Sequence, residues 1–83
     1  MGDDEIRVER VQTGVRIEKR MLKVLKAMAE YHDISLGDLL EGIVLHVFEG
    51  QSPFDADAIT RIDALKHIYE MDYGTSASHH FIE

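Results

Sequence analysis

A single segment of this sequence alternates in the way that a β-strand requires. In VQTGVRI, residues 11–17, the first, third, fifth and seventh side chains are Val, Thr, Val and Ile, and the intervening ones are polar or glycine. An isolated strand exposes a row of unpaired backbone donors and acceptors and is not stable by itself. Because no other segment alternates as clearly, the sequence predicts that a second copy of the chain supplies the partner strand, antiparallel across a two-fold axis.

The remainder of the sequence has the periodicity of helices. Apolar residues at helical spacing predict a first helix over about residues 18–32, and Ser35 is a good cap for a second. Ser52, followed by a proline, predicts the start of a third helix over about residues 53–72. The apolar stripe of the second helix is too broad for a two-layer monomer, which indicates that its own protomer and a second copy both cover it.

The chain should therefore divide into three parts. We expect residues 1–9 to be a flexible acidic arm, residues 10–50 to form the core, and residues 51–83 to hold the third helix and a polar tail. With 83 residues, of which 45% are apolar and 30% charged, the chain fits one small globular domain with a narrow stability margin. A partner chain is the expected support, because the absence of cysteine excludes disulfides and thiolate zinc sites.

Several function classes are disfavoured by the composition. The five histidines have no metal-ligand spacing, so no metal and no other cofactor is expected. No nucleophile with a neighbouring base, no paired carboxylates in a recognisable pocket and no glycine-rich phosphate loop is recognisable, so an enzyme is not expected. No apolar run approaches about 20 residues and the acidic start MGDDEI does not resemble a secretory signal, so we expect a cytoplasmic protein without a membrane contact.

The net charge of −7 hides a separation of charge along the chain. Residues 6–26 carry seven of the nine basic side chains against two glutamates, a net charge of +5, whereas residues 27–83 have a net charge of −9. On composition alone, a solvated helix face with chance clustering is the simpler explanation. In a dimer, however, the basic segment would bring about ten positive charges near one face, which suits a nucleic-acid partner.

Residues 10–49 carry a resemblance to a known family. The segment VQTGVRIEKRMLKVLKAMAEYHDISLGDLLEGIVLHVFE combines a short alternating strand, a helix, a loop ending in serine and an apolar second helix, and its I-S-L-x-x-L-L run is characteristic. It resembles the ribbon-helix-helix DNA-binding family of the Arc and methionine repressors, many of which carry a proline where this chain has Glu18 or Lys19. The resemblance implies a mainly α fold with one short strand, a ribbon-helix-helix homodimer with an intermolecular two-stranded antiparallel sheet, and a third helix outside the motif.

The resemblance also implies which residues meet DNA. In this family the paired strands enter the major groove, and outward side chains touch base edges. The implied base contacts are Gln12, Gly14 and Arg16, of which glutamine suits adenine and arginine suits guanine. The implied phosphate contacts lie on the strand, the first helix and the start of the second helix: Arg10, Lys19, Arg20, Lys23, Ser35, Leu36 and Gly37. Asp38 follows directly and competes with phosphate for the same backbone amides.

Three functions remain open on the sequence. The leading hypothesis is a homodimeric protein that binds double-stranded DNA as a transcriptional repressor or autoregulator. The second is an antitoxin, in which the acidic segment 51–83 covers a toxin. The third is a dimeric adaptor of the same fold that meets another protein instead of DNA, which Gly14, Asp38 and the acidic later segment favour. All three share an expected dimer interface made by Val11, Thr13, Val15, Ile17, Leu40, Ile43, Val44 and Val47.

Overall fold

Three helices account for most of the regular structure. The computed structural model describes residues 5–83. Helix α1 spans Lys19–His32, α2 spans Leu36–Phe48 and α3 spans Ala56–Ile68, and a short 3₁₀ turn follows at Thr75–Ala77. The helices lie close to the predicted positions, although α3 is shorter at both ends than predicted. In the described part of the chain, no helix has the length and apolar character needed to cross a membrane.

The described residues contain no β-strand, so the predicted fold class is wrong. The expected strand at 11–17, and with it the two-stranded sheet of a ribbon-helix-helix homodimer, does not form. Residues 5–17 are instead irregular and almost entirely exposed, and their backbone makes no hydrogen bond to another backbone group among residues 5–83. An alternating pattern of side chains allows a strand, but backbone hydrogen bonds to a neighbouring strand stabilise it. No segment among residues 5–83 pairs with residues 11–17 in this way. Of the predicted arm at 1–9, residues 1–4 lie outside the described residues.

Side-chain caps fix the first turns of α1 and α2. The Glu18 carboxylate accepts hydrogen bonds from the backbone N–H groups of Arg20 and Met21 at the start of α1. At the start of α2, Ser35 Oγ accepts one from the backbone N–H of Asp38 at 3.1 Å, as the sequence predicted. The two caps set where α1 and α2 begin, and thereby the short connection between them.

Helix α3 begins differently from the prediction. Its cap is Asp55 and not Ser52: Asp55 Oδ1 accepts a hydrogen bond of 2.8 Å from the backbone N–H of Ala58. The Ser52 hydroxyl instead donates to the carbonyl oxygen of Phe54 at 3.0 Å. The helix therefore starts a few residues later than the Ser-Pro pair indicated.

The hydrophobic core is small and lies where α1 meets the other two helices. Met28 is its centre, with only 1% of its surface exposed, and it is buried together with Ala29, Leu39 and Ala58. Partly buried apolar side chains surround this cluster: Leu25, Ile43, Phe54, Ile62 and Leu65. Helix α1 is thus the element on which both α2 and α3 depend.

The chain exposes more surface than a compact monomer of its mass. Its accessible area is 7296 Å², against about 5,000 Å² for a typical folded monomer of 9.5 kDa. Its radius of gyration is 14.7 Å, against about 12 Å for a compact domain of this length. Large apolar side chains contribute to the excess, and Val15, Leu45 and Phe48 are 75%, 65% and 81% exposed.

Candidate functional site

Three lysines share one exposed face of α1. Lys19, Lys23 and Lys26 stand at positions i, i+4 and i+7, a spacing that aligns side chains over about 10 Å of a helix. All three are exposed, and no carboxylate among residues 5–83 forms an ion pair with them. Lys23 Nζ lies 5.6 Å from the centre of the Tyr69 ring. We call these three residues the lysine face.

Arg10 is held by a carboxylate of α2. Its Nε and Nη2 atoms donate to the two carboxylate oxygens of Glu41 at 3.0 and 2.9 Å. The hydrogen bonds and the attraction between the charges raise the pKa of Arg10 and lower the pKa of Glu41, and Asp38 adds a smaller attraction to Arg10. Arg10 was predicted to contact phosphate, and in the structure its charge already has a partner.

The three predicted base-contact residues lie on one exposed stretch of the irregular segment. Gln12 and Gly14 are exposed, and a Cβ placed on Gly14 would meet no atom within 4 Å, so close packing does not explain the glycine. Arg16 forms an ion pair of 2.8 Å with Glu83. Because both partners are largely exposed, this pair adds little stability and exchanges readily with another anion.

Arg20, another predicted phosphate contact, belongs to a polar network that fastens the C-terminal tail to α1. Its Nε donates to Glu18 at 3.1 Å, and its Nη1 donates to the carbonyl oxygen of Glu70 at 3.0 Å and to Asp72 at 3.3 Å. The Tyr73 hydroxyl donates to Glu18 at 2.5 Å. We call Glu18, Arg20, Asp72 and Tyr73 the tail clamp.

The tail clamp shifts the pKa of two of its own groups. The hydrogen bond from Tyr73, with further hydrogen bonds from Arg20 and Met21, lowers the pKa of Glu18 to about 2. Burial, together with the hydrogen bond to Glu18, raises the pKa of Tyr73 to about 12. Glu18 is therefore ionised and Tyr73 is protonated at neutral pH. Sequence reasoning missed this contact because 55 positions separate the two residues and no pattern links them.

The start of α2, predicted as a phosphate site, carries negative charge. Ser35 and Gly37 are exposed and Leu36 is half-buried, so the backbone is accessible there. However, Asp38 stands in the first turn and Glu41 follows one turn later, and both carboxylates are exposed. The charge of Asp38 complements the positive end of the helix and repels a phosphate, and Glu41 is already paired with Arg10, so this site is a poor one for DNA.

An apolar groove lies between the irregular segment and α2. It measures about 760 Å³, and the pair of Arg10 and Glu41 lines one part of it. Its apolar lining comes from Val8, Val11, Leu40, Val44 and Leu45. The exposed apolar surface continues along α2 beyond the groove through Val47 and Phe48, which are 56% and 81% exposed. We call the exposed side chains Val44, Leu45, Val47 and Phe48 the apolar face.

The structure distributes the predicted dimer-interface residues over two environments. Exposed positions are Val11, Thr13, Val15, Val44 and Val47. Half-buried positions are Ile17, Leu40 and Ile43, of which Ile43 packs on the core. Leu45 and Phe48 were not among the predicted interface residues, although the run IVLHVF is apolar almost all round and could have indicated them.

Comparison with known proteins gives no match. No protein-family model matches the chain, and no similar curated protein or solved structure was found. Within residues 5–83, no cluster of three or more potential metal-binding side chains occurs.

Proposed function

We propose that this chain is a homodimeric DNA-binding protein that regulates transcription. Two copies associate through the apolar face, and the basic stretch at residues 6–26 contacts double-stranded DNA. The lysine face is the observation that carries the proposal, because it presents three positive charges in a row without an ion-pair partner among residues 5–83. Lysines bind phosphate as point charges and need no fixed partner geometry.

The amount of exposed apolar surface supports a second copy as the occupant of the apolar face. The accessible area exceeds that of a compact monomer by about 2,300 Å², and a standard interface removes about 800 Å² from each partner. Residues 42–48 contain no Asp, Glu, Lys or Arg, so two copies of the apolar face can pack against each other without bringing charges of these residue types from 42–48 together. An apolar surface without such charges suits packing against its own copy, as a two-fold interface requires.

Dimerisation places two basic stretches in one assembly. In this proposal Lys19 and Lys23 contact phosphates, because they are exposed and lie on a rigid helix. Gln12 and Arg16 remain the proposed base contacts, because both side chains are exposed and their chemistry suits adenine and guanine. Arg16 can leave Glu83 and bind DNA with little loss of stability, because the ion pair between Arg16 and Glu83 is exposed.

An electrophoretic titration of the full chain against random-sequence duplex DNA in low salt tests the proposal. Lys23→Gln should reduce the slope of log K against log[salt] by about 0.9 per chain, or about 1.8 per dimer. Arg61→Gln is the matched control, because it removes a positive charge from α3, outside the basic stretch, and should leave the slope unchanged. Absence of binding to every duplex in low salt would overturn the proposal.

A dimeric adaptor is the second candidate, and one observation favours it. Arg10, Arg16 and Arg20 each form an ion pair with a carboxylate of the same chain, which neutralises part of the basic stretch. In this alternative the acidic helices meet another protein and DNA is not bound. The titration separates the two candidates, because the adaptor predicts no retardation of DNA at any salt concentration.

The antitoxin hypothesis assigns the segment 51–83 to a toxin. Part of this segment is already engaged, because Ile62 and Leu65 of α3 pack against the core. Capture of the product of a neighbouring gene by the full chain, lost when the exposed side of α3 is altered at Asp57 and Asp63, is the result that this hypothesis predicts.

A further inference from the structure

An apolar cavity of about 440 Å³ lies between α1, α3 and the C-terminal tail. Its volume falls in the range of small-molecule sites, about 300 to 1,000 Å³. The lining is mostly apolar and includes Met21, Met28, Ile62, Met71, Tyr73 and Phe81. Methionine side chains are flexible and polarisable, so such a wall adapts to ligands of differing shape.

The tail that closes one side of the cavity is held in place by specific contacts. The tail clamp binds Tyr73 to the start of α1, and the rings of Tyr73 and Phe81 pack edge to face with centres 5.2 Å apart. The backbone N–H of Met71 donates to the carbonyl oxygen of Lys66 at 2.8 Å. The cavity is thus a defined feature of the fold, formed by residues that are distant in sequence.

The polar groups of the lining define the kind of ligand. Among residues 5–83, Lys66 is the only charged residue that lines the cavity, and the hydroxyl residues Thr75 and Ser78 also line it. Lys66 is half-buried, and no carboxylate among residues 5–83 forms an ion pair with it. An apolar cavity whose lining among residues 5–83 includes one lysine and no acidic residue complements an apolar body with one negative charge.

We propose that this cavity binds a medium-chain alkyl monocarboxylate, with its chain among the methionines and its carboxylate on Lys66. A monoanion fits better than a phosphate dianion, because Lys66 offers a single positive charge. Lys66 lies in the last turn of α3, where the negative end of the helix dipole repels a dianion more strongly than a monoanion. The proposal rests on the cavity alone and does not depend on DNA binding.

Calorimetric titration of the full chain with hexanoate and octanoate, below their micelle concentrations, tests the site. We expect one ligand per chain and an affinity that rises about fourfold for each added methylene, or about 15-fold between these two acids. Octanol should bind about tenfold more weakly than octanoate, because it lacks the charge that Lys66 attracts. Equal binding of octanol and octanoate would contradict the role of Lys66.

Three variants test whether the carboxylate of the ligand contacts Lys66. Lys66→Gln should weaken octanoate binding about tenfold and leave octanol binding unchanged, since only the charged contact is lost. Lys66→Arg keeps the charge and should restore most of the affinity for octanoate. Arg61→Gln removes a charge from the same helix without lining the cavity, and should bind octanoate as the wild type does. An equal loss in Lys66→Gln and Arg61→Gln would overturn the assignment.

The methionine methyl groups report where the chain of the ligand lies. Nuclear magnetic resonance signals of Met21, Met28 and Met71 should shift together with the titration by octanoate, because all three line the cavity. Saturable binding that leaves these signals unmoved would place the ligand elsewhere and refute the proposal. Absence of any binding, including the case in which a second copy of the chain fills the cavity, refutes it as well.

Discussion

Replacing Glu41 by glutamine should strengthen the binding of DNA by releasing Arg10. The carboxylate of Glu41 accepts two hydrogen bonds from the guanidinium of Arg10, and a phosphate would have to displace both. Glu41→Gln removes the negative charge and one good acceptor, while the side chain keeps its size and exposed position. The freed Arg10 then becomes available to the DNA backbone.

The magnitude follows from counterion release. Each added phosphate contact steepens the slope of log K against log[salt] by about 0.9, so two freed arginines in a dimer steepen it by about 1.8. Over a fourfold change in salt, from about 200 to about 50 mM, the advantage of Glu41→Gln over the wild type should therefore grow by about 12-fold. Fluorescence anisotropy of a labelled duplex at a series of salt concentrations measures both slopes.

A control variant on α2 shows whether the effect comes from the release of Arg10. Glu49→Gln removes the same charge from the C-cap of α2, and Glu49 makes no ion pair among residues 5–83, so the slope of this variant should equal that of the wild type. If Glu41→Gln also leaves the slope unchanged, Arg10 does not reach a phosphate and its place in the DNA contact is refuted. An equal steepening in both variants would show a general effect of net charge instead of a released side chain.

Three further predictions concern stability and assembly. Met28→Ala should lower the free energy of unfolding by about 2 to 4 kcal/mol in urea titrations, because Met28 is the centre of a small core. Leu45→Glu should shift the mass in sedimentation towards the monomer while circular dichroism keeps its helical signal, because Leu45 is 65% exposed in the single chain. Because the pKa of Glu18 is lowered in the folded state, its ionised carboxylate stabilises the fold at pH values above the ordinary pKa range of glutamate. This contribution is lost as the pH falls through about 2. In urea titrations between about pH 6 and about pH 2, Glu18→Gln should therefore lose less stability on acidification than the wild type.

Short-range features of the sequence predicted helices α1 and α2. Helical periodicity and the Ser35 cap indicated α1 and α2, and the cap hydrogen bond to Asp38 is present. Such features depend on neighbours within one or two turns, so they can be read from the sequence without knowledge of the tertiary structure. The start of α3 was misplaced because two candidate caps, Ser52 and Asp55, stand close together and only one accepts the helical N–H.

The incorrect strand has a different origin. The alternation at residues 11–17 is a pattern of side chains, whereas a strand is defined by backbone hydrogen bonds to a neighbouring strand. No such neighbouring strand is present among residues 5–83. The ion pairs of Arg10 with Glu41 and of Arg20 with Asp72 were missed for the same reason. Their partners, Glu41 and Asp72, are 31 and 52 positions away, and no periodic pattern connects residues at such distances.

The tail clamp joins residues 70–73 to the first turn of α1, at a distance from the cluster of Met28 and Leu39 that holds α1 and α2 together. The tail can therefore detach while the pairing of α1 and α2 persists, and its amide hydrogens should exchange with solvent earlier than those of α1. Such partial opening removes one wall of the methionine-lined cavity and provides a path of entry. A bound ligand would keep the tail closed. The exchange rate of the amide hydrogens of the tail would therefore show whether the cavity is occupied.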